Sequence, residues 1–386
     1  MNTTSVAIAA ALPFALIPIA TIFRVRTSKH LGDELPDPPA DAPLVSVVIP
    51  ARNEAINIER CVKSVLSTTY PRVEVIVVDD HSTDGTAAIV KELAAGEARL
   101  RLVHNEPLPP GWFGKQWACD NGARRSHGDL ILFADADTFH SPDLITRSVN
   151  AIVRRSADLF SVAGKQEIVT FWEKVIQPQI FAIMAIRYGG TESMTRSPRV
   201  TDKIANGQCL FVRRLVYEKM GGHALVRSHV GDDMMMAQRF FAAGKTVVGV
   251  LGIDQLSTRM YRSLGELIEG WGKNVFAAGI DSVPMGRLGK MMFPFFLPLS
   301  PLVGVLPAAV LLLGLVAPVP ASLTLWAGLS QTFLLAWWLY VYKILDESPL
   351  YALLSPLGAA MTSYIFLRAV ARGKRVEWKG REYVAE

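Results

Sequence analysis

Two short apolar runs that each end in acidic residues constrain the fold more than any other feature of this chain. The runs are VEVIVVDD (73–80) and LILFADAD (130–137). Both consist largely of β-branched and aliphatic side chains, so each predicts a buried strand. Ligands of open α/β sheets bind at the carboxyl ends of the strands, which is where these carboxylates stand. We therefore expect a ligand site lined with acids at this sheet edge.

The apolar runs belong to a longer alternation of strand and helix patterns. Strands are predicted at 44–50, 73–79, 99–105 and 130–135. Helical periodicity lies between and after them, at 53–69, 84–96 and 115–126. Such alternation is typical of α/β domains with a parallel sheet covered on both faces. We expect one domain of this class over residues 44–280.

Asp135 and Asp137 are two residues apart at the end of the second apolar run. In an extended backbone, side chains at this spacing point to the same side. Two like charges in one place repel unless a cation lies between them. A hard dication such as Mg²⁺ or Mn²⁺, with diphosphate oxygens as its other ligands, satisfies this arrangement. The pair therefore predicts a metal-dependent enzyme that acts on a nucleotide diphosphate.

Three tracts without charge suggest a membrane protein. Half of the 386 residues are hydrophobic, and the uncharged tracts are 5–23, 291–342 and 349–367. Each approaches or exceeds the roughly 20 residues that span a bilayer as a helix. Prolines and the VAPVP turn at 316–320 interrupt the middle tract. We expect an N-terminal transmembrane anchor at 1–26 and a C-terminal transmembrane region of two to three helices at 291–370.

Charge around the tracts predicts their orientation. A cleaved signal peptide is the alternative for residues 5–23, but MNTTS before them lacks the basic residues of such signals. Arg24, Arg26 and Lys29 follow the anchor, so the positive-inside rule places the next domain in the cytoplasm. We predict a multi-pass protein of the plasma membrane, with a Pro-rich, acidic linker at 27–43.

The net charge of +5 comes partly from a basic segment at 371–386, predicted as a cytoplasmic tail next to an anionic leaflet. The globular part shows no basic stripe with interleaved aromatic residues, so we expect no nucleic-acid partner. One anchor followed by three further spans would place this tail outside the cell. A tract near 291–305 that does not cross the membrane is therefore favoured.

Five motifs occur in an order that resembles the family 2 glycosyltransferases, which are inverting enzymes with a GT-A fold. The motifs are PARNE (50–54), VVDDHSTDGT (77–86), ADAD (134–137), NGQCLF (206–211) and GDDMMMAQR (231–239). Three further segments resemble a membrane-bound branch that includes hopanoid-associated and carotenoid glycosyltransferases. They are PLPPGWFGKQWA (107–118), LSTRMYRSLGELIEGWGKN (256–274) and VEWKGREY (376–383).

The resemblance implies roles for particular residues. Asp137, with Asp135, would hold Mg²⁺ or Mn²⁺ against the diphosphate. The implied nucleotide-sugar contacts are Pro50, Arg52, Glu54, Asp79, Asp80, Lys115 and Asp135. Carboxylates suit nucleoside contacts because ribose hydroxyls and a uracil imide are hydrogen-bond donors. Asp84 is instead expected to cap the helix that follows it.

The resemblance also implies the catalytic base and the acceptor side. Asp233 would take the proton of the acceptor hydroxyl, and the adjacent Asp232 would raise its pKa. The alternative for this pair is favourable charge at a helix N-terminus. The implied acceptor-side residues are Asn206, Gly207, Gln208 and Trp271.

The QxxRW motif of processive relatives is incomplete here. The matching stretch is LIEGW (267–271), in which only the tryptophan agrees. We therefore expect a single-addition, membrane-bound transferase that moves a sugar from a nucleotide-diphosphate sugar, with UDP-glucose or a close relative expected, to a hydroxyl of a lipid. The acceptor would be of carotenoid, hopanoid, diacylglycerol or polyprenyl type. A processive polysaccharide synthase and an inactive membrane scaffold are the alternatives.

Overall fold

The computed structural model describes residues 2–373, 375–378 and 380–384. The chain forms two compact units. The helical unit comprises Met1–Thr27, Ile168–Gly190 and Tyr261–Gly373. The sheet unit comprises Ser28–Glu167, Thr191–Met260 and Lys374–Glu386. Two segments of the domain predicted at 44–280, residues 168–190 and 261–280, therefore belong to the helical unit and not to the sheet unit.

The strands are β1 (Val45–Ala51), β2 (Val73–Asp79), β3 (Leu100–His104), β4 (Leu130–Ala134), β5 (Thr138–His140), β6 (Leu159–Gln166), β7 (Cys209–Arg213), β8 (Val247–Thr258), β9 (Arg375–Trp378) and β10 (Arg381–Val384). The helices of the sheet unit are α3 (Ile58–Leu66), α4 (Thr86–Ala95), α5 (Gly114–Arg124), α6 (Leu144–Arg154), α8 (Thr191–Arg196), α9 (Arg214–Lys219) and α10 (Asp232–Ala242). Those of the helical unit are α1 (Thr3–Ala11), α2 (Pro13–Val25), α7 (Phe171–Tyr188), α11 (Leu264–Gly279), α12 (Gly286–Leu302), α13 (Leu306–Leu313), α14 (Ala321–Ile344) and α15 (Ser355–Arg372).

The central sheet has eight strands in the order β3-β2-β1-β4-β7-β6-β8-β5. The four strands predicted from sequence are confirmed, and they are mutually parallel. The parallel sheet predicted from these strands accounts for half of the observed sheet, because β7 runs antiparallel to β4 and β6, and β5 runs antiparallel to β8. The sheet is therefore a mixed α/β sheet.

Both faces of the parallel half are buried, which explains why its strands read as continuous apolar runs. In β1, Val47 and Ile49 belong to one core cluster, while Val48 between them belongs to a second cluster on the opposite face. All three side chains are fully buried. The alternation follows from the two-residue period of a strand. The carboxyl ends of β1, β2 and β4 consequently share one edge.

The helix predicted at 53–69 begins five residues later, at Ile58. Asn53 has a φ of 53°, a left-handed conformation that a helix cannot include. Its side-chain oxygen accepts a hydrogen bond from the backbone N–H of Thr83, at 2.8 Å. Residues 53–57 therefore form a loop that is tied to the loop after β2.

The predicted linker at 27–43 is packed against the sheet unit over part of its length. Leu31 is fully buried, and His30 forms a parallel bridge with Leu251 of β8. Glu34, which is also buried, forms an ion pair with Arg154. These contacts dock the segment on the sheet unit.

In the helical unit, two helical segments are long and apolar enough to cross a membrane, Thr3–Val25 and Pro349–Arg372. The helices α12 and α13 form a pair bent by 51°, which would make a third segment if the pair is one span. Three prolines lie inside α12, where each removes a backbone hydrogen bond. The 24-residue α14 follows this pair.

The basic tail predicted at 371–386 includes a β-hairpin in its described part. Strands β9 and β10 pair antiparallel, with Arg381 opposite Trp378. This hairpin is part of the sheet unit, which the prediction of a tail beside the membrane did not anticipate.

Candidate active site

Asp135 follows directly after β4, at the sheet edge that the sequence predicted. One of its carboxylate oxygens, Oδ1, lies 2.7 Å from Nζ of Lys115. Lys115 is in the first turn of α5, which packs against the sheet beside β1. Burial lowers the pKa of Lys115, but Asp135 and Asp232 outweigh this effect and hold it well above its usual value. Lys115 is therefore a fixed positive charge at the mouth of the site.

Asp137 follows Asp135 by two residues and is likewise half-buried. Within the described part of the chain, its Oδ1 is buried and has no hydrogen-bond partner. Burial, together with the nearby carboxylates Asp135 and Glu54, raises the pKa of Asp137 to about 7. An orphaned buried carboxylate oxygen next to other carboxylates is poorly stabilised as an anion. A bound cation would remove this penalty.

Asp232 and Asp233 form the first turn of α10. Both oxygens of Asp233 accept backbone hydrogen bonds of 2.7 Å, one from Gly207 and one from Met234. Burial raises the pKa of Asp233 even though Lys115 opposes the shift. Asp232 is 8% exposed, and burial raises its pKa to about 7, with contributions from Asp233 and Asp135. The predicted base is thus rigidly held.

Lys115, Asp135, Asp232 and Asp233 line one pocket, whose lining does not include Asp137. Its lining includes the predicted residues Pro50, Lys115, Asp135, Gly207, Asp232 and Asp233. Further lining residues that the sequence did not single out are Cys119, Phe133, Ala134, Leu210 and His223. His223 has its Nδ1 2.7 Å from the hydroxyl of Tyr217, and burial lowers its pKa to about 3. The histidine is therefore neutral and not a cationic ligand.

Arg52, Glu54 and Asp80 lie in the two loops after β1 and β2, and Pro50 and Asp79 are in the strands themselves. Arg52 donates from Nη1 to the backbone oxygen of Asp80 at 2.6 Å. Glu54 accepts a hydrogen bond from Asn57 at 2.9 Å. Asp79, the last residue of β2, accepts from the N–H of Ser82 at 3.4 Å, and its Oδ1 is buried without a partner among the described residues.

The predicted acceptor-side residues are divided between the two units. In the sheet unit, Asn206 and Gln208 bond to each other through their side chains at 3.1 Å, and Gly207 lies between them beside Asp233. Trp271 belongs to the helical unit, where its ring packs against Phe181 and Tyr261. Of these residues, Gly207 therefore lines the pocket, whereas Trp271 is packed within the helical unit.

The missing arginine of the QxxRW pattern has a structural explanation. The corresponding residue is Gly270, and a Cβ at this position would lie 2.1 Å from the ring of Tyr261. Any side chain at 270 would displace that ring. The position after Gly270, Trp271, keeps its buried place beside Tyr261.

Sequence reasoning missed the residues that surround Asp80. Its Oδ1 accepts a hydrogen bond from Asn105 at 2.9 Å, and its Oδ2 lies 2.6 Å from Nη1 of Arg381 in β10. The segment VEWKGREY (376–383) was the available signal for Arg381, but its basic composition indicated a membrane-surface tail.

Comparison with known proteins agrees with this geometry. Residues 46–221 match the family model described as glycosyl transferase family 2. A 4,4'-diaponeurosporenoate glycosyltransferase of Staphylococcus haemolyticus is 28% identical over 243 residues, which cover 62% of this chain and 63% of that protein. The namesake enzyme of Staphylococcus aureus strain MRSA252 is 26% identical over 346 residues, 88% of each chain. Glycosyltransferase AglE of Haloferax volcanii is 29% identical over 272 residues, 69% of this chain and 82% of that one.

Among solved structures, a mannosyltransferase from Pyrobaculum calidifontis in complex with GDP-Man and Mn²⁺ has a similar fold. The TM-score is 0.59 at 18% identity, with 96% of this chain and 98% of that chain covered. The sheet order, the acidic residues at its edge and the family match lead to one conclusion. Residues 46–221 of this chain form a domain similar to the family 2 glycosyltransferases, and the chain has a GT-A fold.

Proposed function

We propose that the protein is a membrane-bound, inverting glycosyltransferase that transfers one sugar from a nucleotide-diphosphate sugar to a hydroxyl group of a membrane lipid. The observation that carries this proposal is the position of Asp233. Its carboxylate is held by two backbone N–H groups in the same pocket as the Lys115–Asp135 ion pair. A base and a phosphate-side cation thus face one small space.

Asp233 is the general base of the proposed reaction. The acceptor hydroxyl gives its proton to Asp233 while its oxygen forms a bond to the anomeric carbon of the sugar. The bond from that carbon to the diphosphate oxygen breaks, and the bonding electrons leave with the nucleoside diphosphate. Attack from the side opposite the leaving group inverts the anomeric centre. The raised pKa of Asp233 suits proton abstraction near neutral pH.

Lys115 stabilises the opposite end of the reaction. Its ammonium group is held at Asp135, and a diphosphate placed there would find a cation whose pKa lies well above neutrality. Charge that develops on a departing phosphate is best stabilised by groups that are already oriented. The side chain of Lys115 meets this condition because its ion pair keeps it in the pocket.

Asp137 and Asp135 are the residues that would hold a divalent cation, Mg²⁺ or Mn²⁺. The buried, unpartnered Oδ1 of Asp137 fits this assignment. Within the described ranges, no group of three or more His, Cys, Asp or Glu side chains forms a complete metal site. Mg²⁺ and Mn²⁺ are commonly held by one or two carboxylates, and substrate phosphates complete the shell. When bound, such an ion would neutralise charge on the diphosphate.

The relatives support a lipid acceptor. The staphylococcal relatives are named for transfer to 4,4'-diaponeurosporenoate, a carotenoid acid, and the helical unit of this chain contains segments long and apolar enough to cross a membrane. We infer an acceptor that stays in the membrane, of carotenoid, hopanoid, diacylglycerol or polyprenyl type. UDP-glucose or a close relative is the proposed donor, and the similar Pyrobaculum mannosyltransferase was solved with GDP-Man.

A transfer assay tests the proposal. Membranes that contain the unmodified protein, Asp233→Asn or Asp41→Asn receive radiolabelled UDP- and GDP-sugars with Mg²⁺ or Mn²⁺, and organic extraction then separates lipid products. We expect label in the organic phase for the unmodified protein and for Asp41→Asn, since Asp41 is exposed. Asp233→Asn should lower the rate by about 10²-fold or more.

The position of the label decides between the alternatives. Mass spectrometry of the organic phase would identify the lipid and the sugar. Label in a high-mass aqueous polymer would support a processive synthase instead. Equal transfer by the unmodified protein and Asp233→Asn would show that Asp233 is not the base.

A further inference from the structure

Asp80 is closed to solvent by the C-terminal hairpin, which consists of β9 and β10. The side chain of Asp80 is 1% exposed, and each of its oxygens already has a partner. Asn105 donates to Oδ1, and the guanidinium of Arg381 lies against Oδ2 at 2.6 Å. A ligand at this sheet edge therefore meets Arg381 before it can reach the carboxylate of Asp80.

A second contact fixes the hairpin in the sheet unit. The hydroxyl of Tyr383 accepts a hydrogen bond from the backbone N–H of Gly114 at 3.2 Å. The ring of Tyr383 packs against Phe113, with centroids 4.3 Å apart. Gly114 begins α5, the helix that carries Lys115. The hairpin is therefore attached both to the end of β2 and to the start of α5.

The sheet order locates Arg381 relative to the catalytic pocket. Asp135 follows β4, Asp80 follows β2, and β1 lies between the two strands. Neighbouring strands are about 4.8 Å apart, so the two aspartates are separated by roughly 10 Å along this edge. If a diphosphate binds at Lys115, a nucleoside that extends along this edge toward β2 would reach Arg381. Arg381 is thus on the nucleoside side.

Arg381 has the chemistry for such a contact. A guanidinium has five N–H donors in a planar fork, and one of its nitrogens faces Asp80. The side chain of Arg381 is 22% exposed, so part of it is accessible. Base carbonyl groups and ribose oxygens are hydrogen-bond acceptors that match these donors.

We propose that Arg381 is a nucleoside-binding residue of the donor site and that Asp80 holds its guanidinium in place. The inference rests on the proposed function, since it requires a nucleotide-sugar donor in this pocket. It reverses the role expected for Asp80 from sequence, because the buried carboxylate positions the arginine. The hairpin then forms part of the donor site.

Calorimetric titration of the detergent-solubilised full-length protein tests this. The ligands are UDP, GDP and inorganic pyrophosphate, each with Mn²⁺. The variants are Arg381→Ala, Arg381→Lys and a matched control, Arg375→Ala, which removes an exposed arginine of the same hairpin. For the nucleotide that the unmodified protein binds, Arg381→Ala should weaken binding about tenfold or more, a loss typical of hydrogen bonds from a charged donor. The nucleotide affinity of Arg381→Lys should lie between those of the unmodified protein and Arg381→Ala. Arg375→Ala should bind the nucleotide as tightly as the unmodified protein.

The pyrophosphate titration shows whether weaker nucleotide binding comes from a lost nucleoside contact or from a lost phosphate contact or a damaged fold. Its binding should not change in Arg381→Ala, because pyrophosphate has no nucleoside. Equal weakening of nucleotide and pyrophosphate would overturn the proposal, as it would indicate a phosphate contact or general damage to the fold. Unchanged nucleotide binding in Arg381→Ala would also overturn it. Failure of the unmodified protein to bind any nucleotide would instead refute the proposed function, and this inference with it.

Asp80→Asn provides an independent check. If Asp80 acts through Arg381, the double variant with Arg381→Ala should bind nucleotide no more weakly than Arg381→Ala alone. Additive losses in the double variant would show that Asp80 contacts the ligand itself, which would refute the positioning role.

Discussion

Gly207 leaves little room for a side chain beside Asp233 and Lys115. A Cβ there would lie 3.2 Å from Oδ2 of Asp233 and 3.4 Å from Nζ of Lys115. We predict that Gly207→Ala lowers the transfer rate about tenfold or more, because small displacements of catalytic groups have large kinetic effects. The midpoint of thermal unfolding should change little. Gly96→Ala is the control, since a Cβ at 96 meets no atom within 4 Å. A fully active Gly207→Ala would contradict the tight geometry.

The raised pKa of Asp232 leads us to predict that the free energy of unfolding depends on pH. Its pKa is raised from 3.8 to about 7 in the folded protein, chiefly by burial. Between these values the folded state binds more protons than the unfolded state, so the free energy of unfolding falls as pH rises from about 4 to about 7. The slope from one such group is on the order of 1 kcal/mol per pH unit.

Urea unfolding of the unmodified protein and Asp232→Asn, at several pH values in this window, measures the effect. Asp232→Asn should show a shallower fall in the free energy of unfolding. Part of the slope should persist, because Asp137 has a pKa raised to about 7 as well. Parallel curves for the two proteins would show that Asp232 ionises normally.

At the scale of single residues, sequence predicted the acids but not their partners. Asp135, Asp232 and Asp233 lie in one pocket, as expected from residues that end a strand or begin a helix. Arg381 was missed because 301 residues separate it from Asp80. No local periodicity encodes a contact of that range.

At the scale of elements, Asp84 is one of several residues that join the loops after β1 and β2. Its Oδ2 accepts from the N–H of Ala55 at 3.0 Å, and its Oδ1 accepts from the N–H and hydroxyl of Thr86. Although burial opposes it, the hydrogen bonds lower the pKa of Asp84. The N-cap of α4 is Gly85, so Asp84 is not the cap predicted from sequence, although it accepts the N–H of Thr86, the first residue of the helix. Asp84 also joins two loops that carry predicted nucleotide-side residues.

We predict that Asp84→Ala lowers the free energy of unfolding by about 1–2 kcal/mol, because the N–H groups of Ala55 and Thr86 lose a charged hydrogen-bond acceptor. It should also weaken nucleotide binding, because Glu54 and Asp80 lie in the joined loops. Glu92→Ala on the exposed side of α4 is the control. Chemical denaturation and calorimetry measure the two effects, and an Asp84→Ala protein as stable as the control would contradict this role.

The strands that sequence predicted and those it missed differ in their surroundings. β1, β2 and β4 are almost entirely buried, so they appear as unbroken apolar runs. β5 has only three residues, and β6 pairs with β8 through a register shift after Gly164. Short or irregular pairing of this kind leaves a weak pattern in the sequence. The strands of the antiparallel half could therefore not be predicted from sequence and are seen only in the folded structure.

At the scale of the whole molecule, sequence predicted the two kinds of structure but not how the chain alternates between them. The segments 168–190 and 261–280 read as continuations of the α/β domain, yet both pack in the helical unit. Their apolar helical patterns fit a soluble core or a helical bundle equally well. Only the packing partners distinguish the two.

The attachment of Arg381 to Asp80 has a consequence for the path of the chain through a bilayer. A hairpin bonded to the sheet unit must be on the same side of the membrane as that unit. If the chain is inserted in a membrane, the part between Met260 and β9 should therefore cross it an even number of times. Two of the described segments in this part are long and apolar enough to cross, the segment 349–372 and the bent pair α12–α13 if it is counted as one span, and two crossings satisfy this condition.

Thiol labelling in sealed vesicles measures whether the number of membrane crossings between Met260 and β9 is even or odd. The native cysteines, Cys61, Cys119 and Cys209, are all buried and should stay silent toward a membrane-impermeant reagent. Arg375→Cys and Asp41→Cys should react from the same side of the membrane. Asn2→Cys should react from the other side if residues 3–25 cross once. Labelling of Arg375→Cys and Asp41→Cys from opposite sides would mean an odd number of crossings, which the hairpin contact does not allow.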